Sequence, residues 1–129
     1  MTVWMKNELD KIGTAEELQI ASLRRDCTLR KPVTIWVVRI DDDLYVRSVN
    51  GRSSAWFRGV QMRYEGRIQA GGINKEVTFV ETTDADINVQ IDAAYRTKYR
   101  QYGPAIVNTI VSPGARAATI KLVPRPTSS

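Results

Sequence analysis

The stretch "KPVTIWVVRIDDDLYVRSVNG", residues 31–51, decides how this chain folds. Val33 to Ile40 is almost wholly β-branched or aromatic, which predicts a strand buried on both faces and set at the centre of a sheet. Asp41, Asp42 and Asp43 make a turn. Leu44 to Asn50 then runs back as the antiparallel partner, with Leu44, Val46 and Ser48 on one face and Tyr45, Arg47 and Val49 on the other. A hairpin apolar on both faces must be covered on both, so the flanking sequence has to supply further strands and helices.

Upstream, Met5, Leu9 and Ile12 recur at helical spacing, predicting a short amphipathic helix over Val3 to Ile12 that stops at Gly13 as its cap. "EELQIAS" alternates as a strand, and with the run after Pro32 it reads as a hairpin. Downstream, Ser53 or Ser54 can cap a helix carrying Trp56, Val60 and Tyr64 on one side. "GRIQA" and "KEVTFVE" alternate about Gly71-Gly72 as a second hairpin, with Val77 and Phe79 on its buried face. Asp84 caps the strongest helix, whose stripe is Ile87, Ile91, Tyr95, Tyr99 and Tyr102, and Gly103-Pro104 ends it. "AIVNTIV" reads as helix or strand, and "RAATIKLV" as the last strand, released by Pro124 and Pro126. Meandering antiparallel strands with few helices point to a small barrel, mainly β in an α+β setting. With 129 residues, 43% of them hydrophobic, residues 1–129 are expected to form one domain, with 124–129 a flexible tail.

Function classes fall away on composition. His is absent, which removes the commonest catalytic base, the usual hydrolase triad and most transition-metal sites. Cys27 has no histidine to activate it and no partner for a disulfide. No dinucleotide or phosphate-loop glycine motif occurs. The Asp41 to Asp43 run lacks the glycine and oxygen ligands of a calcium loop, so no metal is expected. The opening residues lack a signal peptide's pattern, and no apolar run approaches the roughly 20 residues that cross a bilayer. A cytoplasmic protein without membrane contact is therefore expected.

The net charge of +5 comes from 13 Arg and 6 Lys. Nine of the arginines lie between Arg24 and Arg67, and arginine's planar fork suits phosphates and carboxylates. Arg47 and Arg52 flank a turn rich in backbone donors, Ser48, Ser53 and Ser54 add hydroxyls, and a helix N-terminus follows. Arg30 and Lys31 immediately precede the central strand. If that strand pairs with the next through the Asp41 to Asp43 turn, Lys31 lies near Asn50 or Arg52, and such like charges favour an anion between them. Trp56 either fills the core or walls a flat ring; the tyrosine stripe reads first as core. Nucleic acid ranks last, because the charge is modest and no RNP-type motif is present.

The order Lys31-Pro32, Ser48-Val49-Asn50-Gly51, Trp56-Phe57 and Gly71-Gly72 resembles the flavin-binding split barrels, especially the deazaflavin-dependent nitroreductases. The whole chain is similar to a bacterial domain-of-unknown-function family, number 2255. Where those nitroreductases often place a basic residue after the proline, this chain has Val33. The resemblance implies an antiparallel split β-barrel of about six strands with three to four flanking helices, commonly a homodimer. It implies FMN or a deazaflavin as cofactor and hydride transfer to a small substrate. The candidate cofactor-binding residues are Arg30, Lys31, Pro32, Trp36, Arg47, Ser48, Asn50, Gly51, Arg52 and Trp56, with Trp36 or Trp56 beside the ring and no residue nominated as acid or base. The alternative is a barrel without cofactor, using the same basic junction for another anion or for self-association.

Overall fold

The structure is a computed structural model and describes residues 3–125. Seven strands form one antiparallel sheet: β1 (Leu18–Ser22), β2 (Val33–Ile35), β3 (Val37–Ile40), β4 (Asp43–Arg47), β5 (Glu65–Ala70), β6 (Ile73–Glu81) and β7 (Thr119–Pro124). Their order is β2-β1-β5-β6-β7-β4-β3. The run expected at the sheet's centre therefore forms both of its ends. It breaks at Trp36: the first half pairs with β1 through Leu18↔Ile35 and Ile20↔Val33, the second with β4 through Val37↔Val46 and Ile40↔Asp43. Because β2 and β3 are consecutive, that break draws the ends of the sheet together into a nearly closed split barrel. It also makes seven strands of the expected six.

The break is held from outside by α3 (Ala85–Lys98), capped by Asp84 as expected. Lys98 Nζ donates to the Val37 carbonyl at 2.7 Å. The Tyr99 hydroxyl accepts from the Val37 amide at 3.2 Å and donates to the Glu16 carbonyl at 2.7 Å. Polar groups that a neighbouring strand would satisfy are thus met by side chains, and an open edge is covered.

The expected burial of the whole apolar run on both faces holds only at Val37 and Val38, since Val33 and Thr34 of β2 stay exposed, and two clusters cover the two faces of the β3–β4 hairpin. Inside the barrel, Leu18, Val37, Leu44, Val46, Ile68, Val77, Phe79 and Ile120 pack with Leu9 and Ile12 of α1 (Lys6–Thr14) and with Phe57 and Val60 of α2 (Ala55–Arg63). Outside it, Val38 and Tyr45 are covered by Ile91, Tyr95 and Tyr99 of the α3 region and by Val107 and Ile110 of α4 (Pro104–Ile110). "AIVNTIV" is therefore helix, and a single further turn, α5 (Pro113–Arg116), precedes β7.

Three local expectations change. The expected cap at Gly13 is not made; α1 runs on to Thr14, and a Cβ at Gly13 would stand 3.2 Å from the Arg39 side chain, so the glycine there provides room. In α2 it is Phe57, not Trp56, that fills the core, leaving Trp56 half-buried. Pro124 belongs to β7 opposite Val77, and the Arg125 amide donates to the Glu76 carbonyl at 2.9 Å, so pairing runs two residues into the expected tail. The remainder of that tail, 126–129, lies outside the described residues.

Candidate functional site

The junction after β4 is tied to the residue before β7 and otherwise held by local bonds. The Ser48 amide donates to the Ala118 carbonyl at 3.1 Å and the Gly51 amide to the Ser48 carbonyl at 3.0 Å. Ser54 caps α2 by accepting from the Phe57 amide at 3.3 Å, and its hydroxyl takes a 2.7 Å bond from Ser48 Oγ. Gly51 starts a 3-10 turn (Gly51–Ser53) at φ 74°, a value that side chains rarely adopt. The Gly51 amide, expected to help hold a ligand, is thus spent on the turn.

Two adjoining cavities open beside this junction. The larger, about 340 Å³, is walled by Ile35, Trp36, Ser48, Asn50 and Trp56, with Ile106 and Ile110 of α4 opposite. The smaller, about 200 Å³, is walled by Ser22, Arg30, Lys31, Ala55, Trp56 and Val60. Val33 and Trp56 line both. Seven of the ten candidate residues therefore line one or other of these adjoining cavities: Arg30, Lys31, Trp36, Arg47, Ser48, Asn50 and Trp56. Pro32, Gly51 and Arg52 line neither cavity.

The cations within that group are not equivalent. Arg47 contributes to the wall, but its guanidinium is fully buried and wholly committed. Its Nε donates to Thr119 Oγ1 at 3.0 Å, Nη2 to Asn88 Oδ1 at 2.7 Å, and Nη1 to the Ile110 carbonyl at 3.2 Å and to the Asp92 carboxylate. Asp92 also accepts from Arg116 Nε at 2.8 Å. Burial pushes the Asp92 carboxyl up, but bonds from Arg116 and Arg47 outweigh it and hold the group below its ordinary value. Arg52 turns away to Glu81 at 2.6 Å and the Ala117 carbonyl at 3.0 Å. The expected meeting of Lys31 with Asn50 or Arg52 fails for a plain reason: the register through the Asp41 to Asp43 turn ends at Val37↔Val46, and the chain before Trp36 has left for β1.

Arg30 and Lys31 are different. Neither makes a salt bridge or side-chain hydrogen bond among the described residues, and Arg30 Nε is buried without any partner. The Arg30 amide donates to the Ser22 carbonyl at 2.9 Å, which fixes its stem beside α2. Gly59 makes the space: a Cβ there would stand 3.0 Å from Arg30 Nε and 2.9 Å from Ser22 Oγ. A donor removed from water and left unpaired costs on the order of 1–3 kcal/mol, which an anionic guest would relieve.

Sequence reasoning did not reach Ser22, Gly59, Ile106 or Ile110, each of which belongs to another element. For Gly59 alone a signal existed, a glycine in mid-helix, which calls for a packing reason. A larger cavity, about 620 Å³, lies elsewhere, between α1 and β7 beside Trp4, Leu9 and Leu122. Of its charged walls Arg39 is paired with Asp10 at 2.7 Å and Lys121 with Asp43 at 3.6 Å, while Lys6 and Asp42 lie open to solvent, and no buried polar atom there lacks a partner among the described residues. Among the described residues, no three His, Cys, Asp or Glu side chains are grouped so as to hold a metal ion.

A seven-stranded antiparallel sheet curled until its two ends nearly meet defines a class by fold, the split β-barrels. Residues 8–122 match the family described as "uncharacterized protein conserved in bacteria (DUF2255)", and the chain belongs to that family. No curated protein matches it in sequence. Among solved structures it is similar to a candidate pyridoxamine 5′-phosphate oxidase from Listeria innocua, with TM-score 0.66, 15% identity, and coverage of 92% of this chain and 90% of that one. An FAD-binding protein from Mesorhizobium loti aligns with TM-score 0.57, 16% identity, and coverage of 96% and 92%. An F420 reductase aligns with TM-score 0.57, 14% identity, and coverage of 97% of both chains. At these identities the likeness establishes the fold.

Proposed function

We propose that this chain binds FMN or a deazaflavin in the paired cavities and transfers hydride between that cofactor and a small substrate. The observation that carries the reading is the buried, unpartnered Nε of Arg30 beside the unpaired Lys31. These two would hold the phosphate, near the N-terminus of α2 whose amides favour negative charge. Asn50 would offer a polar contact to the ring's edge, and Trp36 and Trp56, with Ile35, Ile106 and Ile110, an apolar bed, while Ser48 is spent on the turn and on Ser54. The larger cavity falls in the range of about 300–1,000 Å³ usual for small-molecule sites. When bound, the ring would supply the hydride chemistry; the protein places it and keeps water away. The flavin and deazaflavin associations of the similar barrels support the same assignment.

Titrating the purified protein with FMN and with the deazaflavin, followed by absorbance and fluorescence, tests the reading. Binding of one of them at micromolar concentration is expected. Arg30→Ala and Lys31→Ala should each weaken it by about 1.5–3 kcal/mol, the usual worth of a charge-assisted bond, whereas Arg52→Ala should leave it unchanged. Binding of neither ring, or a loss in Arg52→Ala equal to that in Arg30→Ala, would overturn it.

A further inference from the structure

Trp36 lines the larger cavity and stacks on Tyr99, ring centroids 3.9 Å apart and planes inclined by 4°. Tyr102 lies 5.1 Å from Trp36 and 6.2 Å from Tyr99, and it reaches the surface with 37% of its area exposed. Tyr95 continues the cluster inward, 6.0 Å from Tyr99. Trp36, Tyr99 and Tyr102 thus form a triangle of neighbouring rings between the cavity and solvent, with Tyr95 branching inward from it.

The three tyrosines differ in what surrounds them. The Arg47 guanidinium sits 5.7 Å from the Tyr95 ring centroid and Lys98 Nζ 5.1 Å from that of Tyr99. A cation held against a ring face stabilises its electrons and opposes losing one. Both phenols are bonded to backbone carbonyls, Tyr95 to Trp36 and Tyr99 to Glu16, and a carbonyl does not take up a proton. Burial pushes both phenols up, Tyr99 to about 12, so they keep their protons. The Tyr102 hydroxyl instead donates to the Glu16 carboxylate, which also accepts from Gln101 Nε2 at 3.3 Å. A carboxylate can take the phenolic proton as an electron leaves.

We propose that Trp36, Tyr102 and Glu16 form a one-electron relay that carries an oxidising equivalent from the cavity to the protein surface. Trp36 would lose one electron to a one-electron oxidant seated in the cavity, the role an oxidised flavin ring would supply when bound, leaving an indole radical cation. Tyr102 restores that electron, and its proton passes to Glu16. The neutral phenoxyl on Tyr102 is then reduced by a thiol or ascorbate from solution, recovering its proton from Glu16. One electron moves from the outside reductant to that oxidant, and the protein ends unchanged. Only the identity of the oxidant rests on the function proposed above.

Pulse radiolysis with the azide radical, which oxidises indoles in preference to phenols, tests the relay without cofactor. In the wild type the indole-radical absorbance should give way to the phenoxyl band in a step independent of protein concentration. Tyr102→Phe removes only an exposed hydroxyl, so folding is not at stake; it should slow that conversion at least about tenfold. Trp36→Phe should remove the same phase, and Glu16→Gln should slow it and change its solvent isotope effect. Conversion in Tyr102→Phe at the wild-type rate, or survival of the phase in Trp36→Phe, overturns the relay. A Tyr102-dependent phase in a protein that binds no flavin upholds the relay while the cofactor reading falls; flavin binding without that phase does the reverse.

Discussion

At the scale of single residues, the sequence marks Arg47 as an anion holder, yet in the fold it is an internal strut. Its five donors are met by Asp92, Asn88, Thr119 and the Ile110 carbonyl, and with Asp92 and Arg116 it ties β4, α3, α4 and β7 together. Removing one side of a buried pair strands the other, which typically costs about 3–5 kcal/mol. Asp92→Ala should therefore lower unfolding stability by about that amount in urea titrations, while exposed Arg52→Ala should cost under about 1 kcal/mol. Because the Asp92 carboxyl lies below its ordinary value of 3.8 when folded, its contribution is present above that value and is lost as pH falls through the folded one. Alternation places Arg47 on one face of its strand, but Asp92 lies 45 residues further on, and spacing carries no trace of so distant a partner. For Arg30 the residue type and position were legible, and the missing partner was not, since it depends on Gly59 and Ser22 from two other elements.

At the scale of elements, patterning served well wherever a segment packs on one neighbour. The two hairpins β1–β2 and β5–β6, the Asp84 cap and the Ile91, Tyr95 and Tyr99 part of the stripe follow directly from periodicity and turn residues, whereas the helix stops at Lys98 and Tyr102 falls in a separate 3-10 turn (Arg100–Tyr102). It served poorly at Trp36, where one uninterrupted apolar run contributes to two different pairings, because bending leaves hydrophobicity unchanged. Lys98, which pins that bend, is lowered by burial from 10.5 to about 8. Between those values the unfolded lysine carries a proton that the folded one has released. Stability should then rise with pH across this interval, by at most about 1.4 kcal/mol per unit. The rise should fade near pH 10, where buried Tyr95 and Tyr99 keep protons that the unfolded chain loses. Chemical denaturation from pH 7.5 to 10 is expected to show the rise in the wild type and not in Lys98→Met.

At the scale of the whole molecule, the barrel is complete except for its depression, and the rim of that depression is apolar. Val33, Val49 and Ile106 are 37%, 50% and 51% exposed there. A homodimer closing over this rim would bury them and shield a bound ring. Light scattering should accordingly give twice the monomer mass, and Val49→Asp combined with Ile106→Asp should return the monomer. The general architecture was readable because strand alternation, turn chemistry and the order of short motifs all point to a barrel, although the break at Trp36 adds a seventh strand. Barrel closure was not readable, since it depends on how sheet ends meet and no local pattern encodes that.

The last strand in chain order, β7, inserts between β6 and β4, with Arg47 opposite Thr119 and Phe79 opposite Leu122. During synthesis both neighbours leave the ribosome with vacant edges, able to pair with a stranger's backbone until residues 119–124 arrive. Translation that halts a few codons short of β7 would leave a chain with most of its apolar residues and two adhesive borders, so a chain ending at residue 118 is expected to sediment as aggregate rather than to form a smaller barrel.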